Sequence, residues 1–138
     1  MTSISLKQRA EEWIKREEGF SPTVYACSVG VGTIGHGITW ITEEESAMIV
    51  SNRVKMCIEQ LEDLLLEWEV SLDDFRKTII VDMLYQLGLP KVKGFKKMWK
   101  ALQDMDYDVA ADEMLNSKWH IQTPVRCEQL AKRMRMGG

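Results

Sequence analysis

Apolar positions follow a helical rhythm along almost the whole chain, with one exception near the start. Leu6, Ala10, Trp13 and Ile14 recur at helical spacing behind Ser5 and Gln8, which form a capping box. This predicts a helix to about Glu17, stopped by Gly19. Residues 20–41 break the rhythm. TVYAC and TIGHGIT carry the β-branched and aromatic residues that suit strands, and SVGVG between them supplies turn glycines. The expectation is a small hairpin that sets Cys27 across from Thr33. Thr42 with Glu45 is a second capping box. Ala47, Val50, Val54, Cys57, Leu61, Leu64 and Trp68 then mark one face of a long helix, 43–68. Ser71 is expected to cap the next helix, with Phe75, Ile79, Met83 and Leu87 turned inward. GLPKVKG interrupts the pattern, 95–104 reads as a short helix, and Asp106 caps another to about His120. Thr123 followed by Pro124 opens the last helix, which ends near Met136 at Gly137.

One small sheet among helices predicts an α+β fold with two unequal lobes, joined by the long helix 43–68. The reading is a single domain over 1–138, with a small lobe at about 15–60 and a helical lobe from about 1–14 and 61–138.

Composition changes this picture little. Hydrophobic residues make up 45% and charged residues 28% of the 138 positions, as in ordinary globular proteins. No apolar run approaches the ~20 residues of a membrane helix. No basic-then-apolar leader pattern opens the sequence, so synthesis in the cytoplasm without a cleaved signal is expected, and no stable membrane insertion. The net charge of −3 conceals an asymmetry. Residues 1–70 hold 6 Lys/Arg and 12 Asp/Glu, a net of −6, whereas 71–138 hold 12 and 9, a net of +3. Lys91, Lys93, Lys96, Lys97 and Lys100 concentrate in one decapeptide, a patch suited to an anionic polymer or simply to water. The acidic first half argues against a nucleic-acid partner. Cys27, Cys57 and Cys127 are odd in number and far apart, which suits neither a disulfide framework nor zinc, even with His36 and His120.

Candidate chemistry gathers between residues 17 and 37. Gly30, Gly32 and Gly35 have dinucleotide-site spacing, but no helix opens behind them, so they read as turn glycines. Glu18 is placed at the end of a helix, beside Glu17. The negative end of the helix dipole and a neighbouring carboxylate both favour the protonated acid. A protonated carboxylic acid is what a general acid requires, and glycosidic cleavage needs one on the leaving oxygen with a partner across the sugar. Cys27 and Thr33 taken singly read as a buried cysteine and a strand threonine.

Glu18, eight residues, Cys27, five residues, Thr33 resembles the Glu-x8-Asp/Cys-x5-Thr signature of phage-type lysozymes, glycoside hydrolase family 24. DMLYQLG (82–88), GFKKMWKALQ (94–103) and SKWHIQTPVR (117–126) are similar to stretches of the T-even members of that family. The resemblance covers about residues 10–41 and 72–137. It implies a lysozyme-like fold and a monomeric muramidase without cofactor or metal. Such an enzyme cuts the β-1,4 bond between N-acetylmuramic acid and N-acetylglucosamine in bacterial peptidoglycan, reached from the host cytoplasm after release. Glu18 would be the general acid, Cys27 the base or nucleophile, and Thr33 the residue that positions water. Met83, Tyr85 and Gln86 would line the cleft, and Arg126 would pair with the catalytic glutamate.

Three departures accompany the resemblance. Cysteine replaces the commoner aspartate at 27, and an ordinary thiol, with a pKa near ~8.5, is mostly neutral at neutral pH. The usual Gly-His after the threonine is Gly37-Ile38, which removes a polar anchor, while His36 takes an apolar or aromatic position and is expected to face the cleft. The segment between hairpin and helix 72–87 is short, and Glu113 and Lys118 replace a polar residue and an arginine near the cleft. Two alternatives stay open: a lytic transglycosylase, and a wall-binding or structural protein with a decayed site.

Overall fold

The computed structural model describes residues 4–26 and 30–137, which fall into two compact units, 1–48 and 49–138. The architecture is α+β and lysozyme-like, mostly helical with one two-stranded antiparallel sheet.

The first unit opens with α1 (Leu6–Glu18). Ser5 Oγ accepts from the Gln8 amide (3.1 Å) and the Gln8 side chain accepts from the Ser5 amide (3.2 Å), so both halves of the capping box form. Gly19, at φ 66°, ends the helix, and its N–H still donates to the Lys15 carbonyl. The helix thus runs one residue past the expected end and makes Glu18 its last residue.

β1 (Ser21–Ala26) and β2 (Gly32–Gly35) form the hairpin. Tyr25 pairs with Thr33 and Ala26 with Gly32, so Thr33 stands across from Tyr25 where Cys27 was expected. Gly30, at φ 81°, has the left-handed backbone that glycine adopts readily, two residues ahead of β2. Cys27 itself lies outside the described residues. The second strand stops at Gly35 rather than continuing to 41. Gly35 and Gly37, at φ 66° and 75°, turn the chain back so that Ile34 and Ile38 exchange two backbone hydrogen bonds of 2.9 Å. α2 (Glu43–Trp68) follows, capped as expected by the reciprocal Thr42–Glu45 pair at 3.1 Å.

Ile49–Trp68 of α2 belongs to the second unit, where Cys57, Leu61 and Leu64 enter the core. The remaining helices are α3 (Asp74–Leu87), α4 (Leu89–Lys93), α5 (Lys96–Gln103), α6 (Tyr107–Leu115), α7 (Lys118–Gln122) and α8 (Pro124–Met136). They enclose Ile80, Met83, Met98, Trp99, Met114 and Met134, and the Trp99 indole N–H donates to the Val92 carbonyl (3.0 Å).

Several boundaries differ from expectation for local reasons. Asp73, not Ser71, caps α3, because its carboxylate sits next to the first turn and accepts from the Arg76 amide (3.1 Å). GLPKVKG forms the short α4 rather than only a break, with Pro90 in its first turn. The helix expected from Asp106 to His120 is two helices. Ser117 takes an extended backbone, donates its hydroxyl to Met114 O (2.6 Å) and accepts from the His120 amide (3.3 Å), so it closes α6 and opens α7. Pro124 starts α8 as expected, but Thr123 makes no capping bond; its hydroxyl donates back to Trp119 O.

Candidate functional site

Glu18 is exposed at the last position of α1. Its carboxyl group lies against the backbone of Gly37. A Cβ on Gly37 would stand 2.5 Å from Glu18 Oε2 and 2.6 Å from Cδ. The turn after β2 and the end of α1 therefore meet at this carboxyl. His36, the next residue back, is half-buried. Its Nδ1–H donates to the Gly19 carbonyl (2.8 Å), and its ring lies 5.3 Å from that of Phe20. A polar anchor for this turn thus exists, supplied two residues before Ile38, where the family's histidine is missing.

Thr33 is only 3% exposed, the one buried polar side chain among the described residues. Its hydroxyl donates to Val31 O (2.9 Å), which spends the proton and leaves the oxygen lone pairs as acceptors. Glu18, Thr33 and His36 all belong to the first unit.

The remaining predicted site residues belong to the second unit. Met83 has no exposed surface and packs in its core, a placement that cannot touch a substrate, because its helix turns that face inward. Tyr85, two residues on, is 45% exposed. Gln86 is held at both ends of its amide. It accepts from the Trp119 indole N–H (3.1 Å) and donates to Thr123 Oγ1 (3.0 Å). Arg126 forms an ion pair with Asp82. Trp119 and Asp82 were not singled out from the sequence, and Thr123 and Gly37 only as a helix opening and as part of a departure from the family pattern. Only their position inside the family-like stretches could have drawn attention to them.

Lys91, Lys96, Lys97 and Lys118 line a pocket of about 580 Å³ together with Phe95, Trp119 and Glu113. The basic decapeptide thus faces a concavity as well as water. Cys57 and Cys127 are buried free thiols. Burial pushes Cys57 up, with Arg53 pulling the other way. Burial, with Glu128 beside it, pushes Cys127 up to about 11. Among the described residues, no three His, Cys, Asp or Glu side chains stand close enough to hold a metal ion, and no helix is long and apolar enough to cross a membrane.

A glutamate at the last position of a helix, a two-stranded hairpin next in the chain and a helical unit after it define a lysozyme-like protein. The family model for phage lysozyme matches residues 15–136, and the chain belongs to that family. "Probable T4-type lysozyme 1" of Dictyostelium discoideum is 32% identical over 92 residues, covering 65% of this chain and 54% of that protein. "Probable T4-type lysozyme 2" of the same organism is 30% identical over 108 residues, covering 72% and 64%. "Peptidoglycan hydrolase gp36" of Pseudomonas phage phiKMV is 27% identical over 107 residues, covering 77% of this chain and 12% of that protein. The chain therefore spans 54% and 64% of the lengths of the two Dictyostelium relatives.

Proposed function

We propose that this protein is a peptidoglycan-hydrolysing muramidase that cleaves between N-acetylmuramic acid and N-acetylglucosamine. The observation that carries the reading is Glu18, a carboxyl group at the end of α1 seated on Gly37, inside the matched family region. Glu18 donates its proton to the glycosidic oxygen as the C1–O bond breaks, and positive charge develops on the sugar ring. Water adds its oxygen to C1, and its second proton goes to a base. Thr33, whose hydroxyl proton is directed to Val31 O, accepts a hydrogen bond from that water. Cys27, as thiolate, serves on the opposite face of the sugar as base or nucleophile.

Tyr85 contributes an exposed aromatic face for a sugar, and Gln86 an amide already fixed by Trp119 and Thr123. Such prior fixing lowers the entropy lost on binding. Arg126 is a supporting cation. Met83 packs in the core and makes no sugar contact. The protein works as a monomer on bacterial walls, reached from the host cytoplasm after release, and needs neither cofactor nor metal. The names of the relatives, lysozyme and peptidoglycan hydrolase, support this substrate class.

Digestion of purified peptidoglycan tests the proposal. Muropeptides with reducing muramic acid ends are expected. Products ending in 1,6-anhydromuramic acid would make the protein a lytic transglycosylase. Wall binding without products would make it a non-catalytic wall protein.

A further inference from the structure

A general acid must hold its proton on one oxygen of the substrate, so whatever fixes the end of α1 bears on the rate. The helix ends at Gly19. Two contacts from one short turn, residues 35–37, meet it there. His36 Nδ1–H donates to the Gly19 carbonyl at 2.8 Å, one residue past Glu18. A carbonyl can only accept, so the neutral imidazole carries its proton on Nδ1. Gly37, at φ 75°, leaves open the space where Glu18 Oε2 lies. The turn itself is closed by the paired Ile34–Ile38 hydrogen bonds.

We propose that His36 is a positioning residue, whose Nδ1–H bond to Gly19 ties the turn to the end of α1 and so seats the Glu18 carboxyl on Gly37. The proposal rests on Glu18 being the general acid. It replaces a direct substrate contact by His36 with an action through Glu18. A loss of positioning lowers kcat and leaves KM nearly alone; a lost substrate contact raises KM.

The test compares two amides of similar polarity. An asparagine N–H reaches about where Nδ1 stands, and a glutamine N–H about where Nε2 stands. With soluble peptidoglycan fragments as substrate, His36→Gln should lower kcat roughly ten- to a hundred-fold with KM close to the parent's, and His36→Asn should restore most of that loss. The reverse order with a raised KM, or a parental kcat in His36→Gln, would overturn the proposal. Glu18→Gln run alongside separates the two layers. If it keeps the parental rate, the general-acid reading itself fails. If it is inactive while His36→Gln is parental, only the positioning role fails. Ring ¹⁵N shifts of the unmodified protein add a measurement that needs no variant. At mildly alkaline pH, where an ordinary imidazole is neutral, His36 should show the Nδ1-protonated tautomer. The Nε2-protonated tautomer would contradict the hydrogen bond on which the proposal stands.

Discussion

Cysteine at position 27, in place of the commoner aspartate, sets a chemical question at the scale of one side chain. An ordinary thiol is mostly neutral near pH 7 and an ordinary aspartate is fully ionised. If Cys27 acts as its thiolate, Cys27→Asp should keep lysing walls, because a carboxylate fills either role across the sugar from Glu18. Cys27→Ala should lose most of the activity, as measured by clearing of a wall suspension. Parental clearing by the alanine variant would reduce the thiol to packing. Alkylation gives a second view of the same residue. Cys57 and Cys127 are buried, and burial raises both thiols, Cys127 to about 11. Both stay neutral and shielded at neutral pH, and the thiolate is the reactive form. Rapid modification mapped by mass spectrometry should therefore fall on Cys27, with loss of lysis and protection by peptidoglycan fragments.

Among the elements, α3 shows how a single cap decides a boundary. Asp73 accepts the Arg76 amide hydrogen bond and also pairs with the Arg76 guanidinium at 3.0 Å, whereas Ser71 stands two residues too early. Asp73→Ala should cost about 1 kcal/mol in urea unfolding, and Ser71→Ala close to nothing; the opposite order would restore the sequence-based cap. The same comparison explains what the sequence made legible. Ser5–Gln8 and Thr42–Glu45 were readable because each box is local and both partners lie four residues apart or closer. Ser117 was not, because the periodic apolar residues on either side of it fit one continuous helix as well as two. The hairpin was readable from its β-branched residues, but its register was not, since several glycines could host the turn. The site divides in the same way. Glu18 was nominated as a candidate from its place at a helix end and from the family resemblance, and Thr33 from the resemblance alone. The seat of Glu18 on Gly37, the His36–Gly19 bond and the Arg126–Asp82 pair were not, because they join residues 17 to 44 positions apart and leave no period in the sequence. Met83 was misplaced by the resemblance, since the face of α3 that it occupies is fully buried.

For the whole molecule, charge and catalysis can be tested separately. Lys91, Lys93, Lys96, Lys97 and Lys100 are all exposed, and Lys91, Lys96 and Lys97 border the pocket beside Trp119. If they draw the protein to anionic walls, lysis should slow as salt rises, because exposed charges are screened within ~10 Å at about 0.1 M. Replacing Lys91, Lys96 and Lys97 with glutamine should flatten that dependence, and an unchanged salt profile would leave them as a solvated face. The central claim concerns the proton on Glu18. Glu18→Gln keeps the size and polarity of the side chain at an exposed position and removes only its acid. The decisive measurement is the hydrolysis rate of purified peptidoglycan by this variant, with its thermal midpoint recorded in parallel. The rate should fall roughly 10²–10⁴-fold at an unchanged midpoint. A folded Glu18→Gln protein that hydrolyses peptidoglycan at nearly the parental rate would contradict the account.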